Sequence, residues 1–157
     1  MMPPPETVFR STAPFDPERI HGAAIYCSDG RFGEQCDDFL MNGLGMPRYD
    51  RVALPGGPGT LAGHPQATLE HQGVKRELRF LVEVHRLDRI VLISHHRCAF
   101  YAITLGIPDG ELEARQFADL RAAATDVREI TGVERIETYF ARPHGEGQNR
   151  RVEFERV

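Results

Sequence analysis

Cys27, His95 and Cys98 offer two thiolates and an imidazole, a donor set that balances the charge of a divalent zinc ion and leaves one tetrahedral position open. An open position separates catalytic zinc from structural zinc, because a water coordinated there ionises near about pH 7. Asp29 and Arg31 follow Cys27 at alternate positions, so in an extended turn both lean to one side. Arg31 then holds Asp29 ionised, and an ionised carboxylate accepts the hydrogen bond of a zinc-held hydroxide and aims its lone pair at a substrate. Two other readings stay open for this pair. Asp29 binds zinc itself and closes the site, or the two residues form a turn-stabilising ion pair worth about 0–1 kcal/mol.

Cys36 is the remaining cysteine. Its spacing with Phe32, Phe39 and Leu40 follows one helical face, which favours packing in the core. As a fourth sulfur ligand it would instead close the metal and end any hydration chemistry. His96, beside His95, is read as a pocket or surface side chain, with proton transfer or competition for the metal as alternatives. Three cysteines are too few, and odd in number, for a disulfide scaffold.

These residues need elements that bring them together. The run His21 to Ser28 reads as a buried strand closed by Ser-Asp-Gly, which puts Cys27 at a strand's C-terminal end. A helix is predicted from Gly33 to about Gly43, and a short strand from Arg51 to Leu54. Pro55-Gly56-Gly57-Pro58-Gly59 reads as loop, with glycines that let the backbone approach a neighbour closely. Between Pro65 and His85 the spacing of Leu69, Val74, Leu78, Leu81 and Val84 predicts a helix, and the apolar run Arg89 to Ser94 a strand that delivers His95. A third helix is predicted over Glu111 to Ile130, with Leu112, Gln116, Leu120, Ala124 and Val127 on one stripe and Gly132 as its stop. Ile136 to Ala141 and Arg151 to Glu155 alternate as strands around a Pro143 to Asn149 loop. Strands alternating with helices imply an α/β fold, a mostly parallel central sheet flanked by helices with a C-terminal strand pair, whose ligand sites gather at strand C-terminal ends.

Composition agrees with one such unit. The chain has 157 residues, 41% hydrophobic and 27% charged, which suits a single core over residues 21–157 behind a proline-rich arm of residues 1–20. Its net charge of −4 gives no basic excess for nucleic acid or an anionic membrane, and Arg150-Arg151 is too short a basic run to signal either. No apolar run approaches the roughly 18 residues of a membrane span, and Met1 to Glu6 lacks the look of a signal peptide, so a cytoplasmic location is expected. The glycine loop lacks a phosphate-loop ending, and no dinucleotide fingerprint opens a helix.

Cys27-Ser28-Asp29-Gly30-Arg31 followed by His95-His96-Arg97-Cys98 resembles the signature of the β-class carbonic anhydrases, Cys-x-Asp-x-Arg after one strand and His-x-x-Cys after another. The resemblance covers roughly residues 20–157. It implies Zn2+ held by Cys27, His95 and Cys98, Asp29 and Arg31 as a catalytic dyad, and reversible hydration of CO2 to bicarbonate. It also implies a homodimer or higher homo-oligomer, with a small molecule rather than a nucleic acid or membrane as partner. Two segments depart from the family pattern. Leu54-Pro55-Gly56-Gly57-Pro58 stands where Arg-Asn-Ala-Gly-Asn is usual and keeps only Gly57, while Ser94-His95-His96-Arg97-Cys98-Ala99 adds a histidine and a cation beside the metal ligands. Gly57, Phe32, His96, Phe100 and Tyr101 are the candidate pocket residues. The altered loop motivates a further expectation, turnover of a related small electrophile such as carbonyl sulfide or carbon disulfide. A reading of another class is a non-catalytic zinc protein of this fold, closed by Cys36 or binding an anion without turning it over.

Overall fold

The computed structural model describes residues 1–157, and its sheet explains the two apolar runs that end in candidate ligands. Strand β1 (Gly22–Tyr26) and strand β3 (Arg89–His95) bury every residue they contain. Such runs suit strands covered on both faces, as in parallel sheets. Strand β2 (Asp50–Ala53) pairs parallel with the outer edge of β1, β3 pairs parallel with its inner edge, and strand β4 (Arg135–His144) pairs parallel with β3. Strand β5 (Arg151–Arg156) closes the order β2-β1-β3-β4-β5 and is the one antiparallel member. Fold class and strand pair are those anticipated.

The pleat divides the core. Ala24, Tyr26, Val91 and Ile93 face helix α1 (Gly33–Asp38), where Phe32, Cys36 and Leu40 pack on them. Ile25, Ile90 and Leu92 point the opposite way. They meet Val74 and Leu78 of helix α2 (Thr68–His85) and Leu120, Ala123 and Val127 of helix α3 (Leu112–Thr131). Full burial of such a side chain contributes about 1.5–3 kcal/mol.

Several local expectations need correction. The first predicted helix changes pitch, α1 running into a π-helical turn at Phe39–Gly43. The Pro55 to Gly59 segment is not all loop, because Gly57–Leu61 coils into a buried 3-10 turn. Leu69 and Val84 lie off the buried face of α2, at 80% and 53% exposure, while Val74 and Leu78 are buried and Leu81 and Val82 pack against the same cluster. Strand β4 continues through Pro143 and His144 because β5 pairs along its whole end, which shortens the predicted loop. Gly132 does stop α3, with a left-handed φ of 72° and its N–H on the Arg128 carbonyl. Residues 1–19 form no helix or strand and are exposed. No helix is long and apolar enough to cross a membrane.

Candidate metal centre

The parallel register brings the two halves of the site together. Tyr26 pairs with Ile93, so Cys27, one residue beyond β1, emerges at the same end of the sheet as Ser94 and His95. His96 and Arg97 then reverse the chain and return Cys98, with Arg97 in the left-handed region at φ 53°. Among all histidine, cysteine and acidic side chains, Cys27, His95 and Cys98 are the one group whose ligand atoms converge, all within 4.8 Å of one another.

The geometry fits a metal ion on two counts. The Cys27 and Cys98 sulfurs are 3.8 Å apart, much too far for a disulfide. Two sulfurs about 2.3 Å from zinc at a tetrahedral angle stand about 3.8 Å apart. The histidine supplies the second count. His95 Nδ1 lies 3.0 Å from the His96 carbonyl oxygen. A carbonyl only accepts, so Nδ1 carries the proton and Nε2 keeps a free lone pair. That Nε2 is buried without any hydrogen-bond partner. A buried acceptor left unpaired costs about 1–3 kcal/mol, which coordination of a cation would recover.

Neighbouring groups prepare the donors. The Cys98 thiol donates to Cys27 and holds the Cys27 thiolate well below the ordinary thiol range, helped by the backbone N–H groups of Gly56 and Asp29. That same bond, together with burial, pushes Cys98 up. Phe32 stacks on the His95 ring at 4.3 Å and 30°. From α3, the Gln116 amide donates to the His95 carbonyl at 2.7 Å and to Ser94 Oγ at 2.9 Å, locking the end of β3 from behind.

Asp29 is held by Arg31 on both oxygens. Arg31 Nη2 meets Oδ2 at 2.6 Å, while Arg31 Nε and its backbone N–H each meet Oδ1 at 3.0 Å. The Arg31 hydrogen bonds bring the carboxyl down to about 2, so it is ionised at any pH near neutral. Asp29 stands outside the three-residue cluster. Cys36 does too. It is 2% exposed among Phe32, Tyr26 and Leu40, and burial pushes its thiol up to about 12.

The candidate pocket residues divide between two places. Phe32 and His96 line an open cleft of about 730 Å3 beside the cluster, together with Arg31 and Arg97. Phe100 and Tyr101 pack behind Cys98 with Ala67 and Leu112. Tyr101 turns its hydroxyl to Asp119, which also meets His64 Nε2 at 2.6 Å. Gly57 is buried against the backbone of Tyr26 and Cys27. Sequence reasoning placed Gln116 on a helical stripe but missed its link to His95. A lone amide in an apolar stripe was the available signal, because a buried amide must find partners.

A protein family described as "Putative carbonic anhydrase" matches residues 18–149, well over half of the chain. An uncharacterized protein of Rickettsia conorii, RC0076, is 28% identical over 107 residues, a match that takes in 68% of this chain. The chain spans little more than half of that relative's length, 56%. The crystal structure of a β-carbonic anhydrase isoform I from Trichomonas vaginalis shares the fold. It aligns with a TM-score of 0.50 over 95% of this chain and 87% of its own, at 14% identity.

Proposed function

This chain belongs to the "Putative carbonic anhydrase" family, and we propose that it catalyses the reversible hydration of CO2 to bicarbonate at a zinc ion held by Cys27, His95 and Cys98. The observation that carries this reading is the unpartnered, buried Nε2 of His95 in a cluster of three protein donors, with Cys36 and Asp29 outside it. Three donors match the open coordination of catalytic zinc sites rather than the four of structural ones. Zinc bound there supplies the Lewis acidity that lets water ionise near neutral pH.

The protein's own groups do the rest. Asp29, kept ionised by Arg31, accepts a hydrogen bond from the attacking water and turns its lone pair towards the CO2 carbon. A new C–O bond forms as one C=O π bond of CO2 breaks and its electron pair moves onto that oxygen, and one proton of the water leaves to solvent, giving bicarbonate. Phe32, by stacking, and the His96 carbonyl, by accepting from Nδ1, keep the His95 ring from rotating away, while Gln116 holds the His95 backbone. Residues 21–157 are read as the catalytic unit, working as a homodimer or higher homo-oligomer, and the arm of residues 1–20 lies outside it.

Metal analysis and stopped-flow CO2 hydration test the reading together. One zinc per chain and hydration well above that of a Cys98→Ser variant are expected. Zinc without hydration, but with sulfide released from carbonyl sulfide, would move the assignment to a related electrophile, as the altered Leu54 to Pro58 segment suggests. Hydration equal to that of Cys98→Ser would overturn it.

A further inference from the structure

The cleft beside the metal cluster is much larger than CO2 or bicarbonate requires. At about 730 Å3 it falls in the range of sites for whole metabolites, about 300–1,000 Å3. Three separate segments contribute arginines to its wall, Arg31 after β1, Arg97 after β3, and Arg150 and Arg151 at the start of β5. Glu34 and Asp38 of α1 are the acids on the lining, so positive charge exceeds negative here on a chain whose net charge is −4.

These arginines differ in what they already hold. Arg31 is committed to Asp29. Arg97 and Arg150 have no hydrogen-bonded acceptor and no carboxylate within 4.0 Å, and Arg151 donates only to the Gln148 and Arg150 carbonyls. Three arginines therefore line one cleft with no carboxylate paired to them, Glu34 and Asp38 of the same lining included. Arg97 adds a second observation. It occupies a left-handed turn position at φ 53° that glycine or asparagine fills with less strain. A long cation is held there instead, one residue before Cys98.

We infer that this cleft binds a small molecule bearing a multiply charged oxyanion, a phosphate or a pair of carboxylates, through Arg97, Arg150 and Arg151. Guanidinium forks match the oxygens of phosphate and carboxylate in a bidentate way, and several around one cleft favour multivalent anions over bicarbonate. The bound anion sits at the mouth of the metal centre, since Phe32 both lines the cleft and stacks on His95. The proposal rests on the arginines and not on CO2 hydration, so a protein that hydrates nothing can still bind the anion.

Isothermal titration of the purified protein with inorganic phosphate, succinate and bicarbonate provides the test, at fixed low ionic strength. Saturable binding of phosphate or succinate, tighter than that of bicarbonate, is expected, and the better of the two identifies the group recognised. An Arg150→Ala/Arg151→Ala double variant and Arg97→Ala should each weaken it about tenfold or more. Arg150→Lys/Arg151→Lys should retain part of the affinity, which separates lost recognition from lost folding. Arg86→Ala, at the C-terminal end of α2 and off the cleft, should bind as the parent does. Phosphate binding unchanged in the Arg150→Ala/Arg151→Ala variant would mean that the anion sits on the metal alone and would overturn the proposal. Equal loss in Arg86→Ala, or no saturable binding of either multivalent anion, would also overturn it.

Discussion

Replacing Gly57 with alanine should cost the fold about as much as deleting a large core side chain, although only one methyl group is added. Gly57 has φ +48°, where a side chain meets the backbone of its own residue, at about 1–2 kcal/mol. A Cβ there would also stand 2.7 Å from the Tyr26 carbonyl carbon, 2.8 Å from the Cys27 nitrogen and 3.0 Å from the Tyr26 Cα. All three are backbone atoms at the end of β1, so none can swing aside as a side chain would. Overpacking of this kind costs about 1–3 kcal/mol. Together the two effects come to about 2–5 kcal/mol, against a domain stability of about 5–15 kcal/mol. Gly132→Ala is the control, because Gly132 has φ +72° with open space around its would-be Cβ. Equilibrium urea unfolding of both variants isolates the close approach, provided the denaturant slopes match the parent's. Gly57→Ala should lose about 1–3 kcal/mol more than Gly132→Ala, and it alone should weaken zinc binding, because the collision falls on the residue that carries a thiolate. Stability within about 0.5 kcal/mol of Gly132→Ala, with unchanged zinc affinity, would refute the claim that this segment is clamped against Cys27.

Cys36→Ala should leave zinc stoichiometry unchanged while costing about 1 kcal/mol of packing; a fall in bound zinc would put this sulfur on the metal after all. Gln116→Leu removes the donor to the His95 carbonyl and Ser94 hydroxyl, for about 1–3 kcal/mol in denaturant melts. Zinc affinity, by competition with a chelator, should fall about tenfold or more. Arg31→Gln probes Asp29 through pH. The folded carboxyl of Asp29 lies at about 2, below the unfolded value of about 3.9. Its contribution is therefore full above about pH 4 and lost as pH falls towards 2. The stability gap between parent and Arg31→Gln, measured on metal-free protein, should be larger at pH 6 than at pH 2.5, and an equal gap would refute the pairing.

Much of the site was legible in the chain before folding. Two buried strands feeding candidate ligands imply one shared edge, because parallel strands crossed over by helices end on the same side of a sheet. That logic placed Cys27 beside His95 and Cys98, 68 and 71 positions away in the numbering. Helix stops and strand runs were also readable, since Gly132 and the apolar stretches act through their own backbones. Less legible were the faces of α2. Leu69 and Val84 belong to the helical repeat, but at about 100° per residue they fall well round the helix from Val74 and Leu78 and stay exposed.

By itself, the sequence determined which side chains can hold a metal and which strand ends carry them, because residue chemistry and local periodicity are properties of short segments. Tertiary structure decided which of the eligible groups converge. Cys36 turns into the α1 face of the core, Asp29 spends both oxygens on Arg31, and Gln116 reaches the His95 carbonyl across a layer of the fold. The cleft gathers Arg31, Arg97, Arg150 and Arg151 from three strand ends. Apart from the local Asp29–Arg31 pair, which the spacing anticipated, each outcome is a contact between segments distant in the chain, set by packing and the competition for hydrogen-bond partners, which no local spacing encodes.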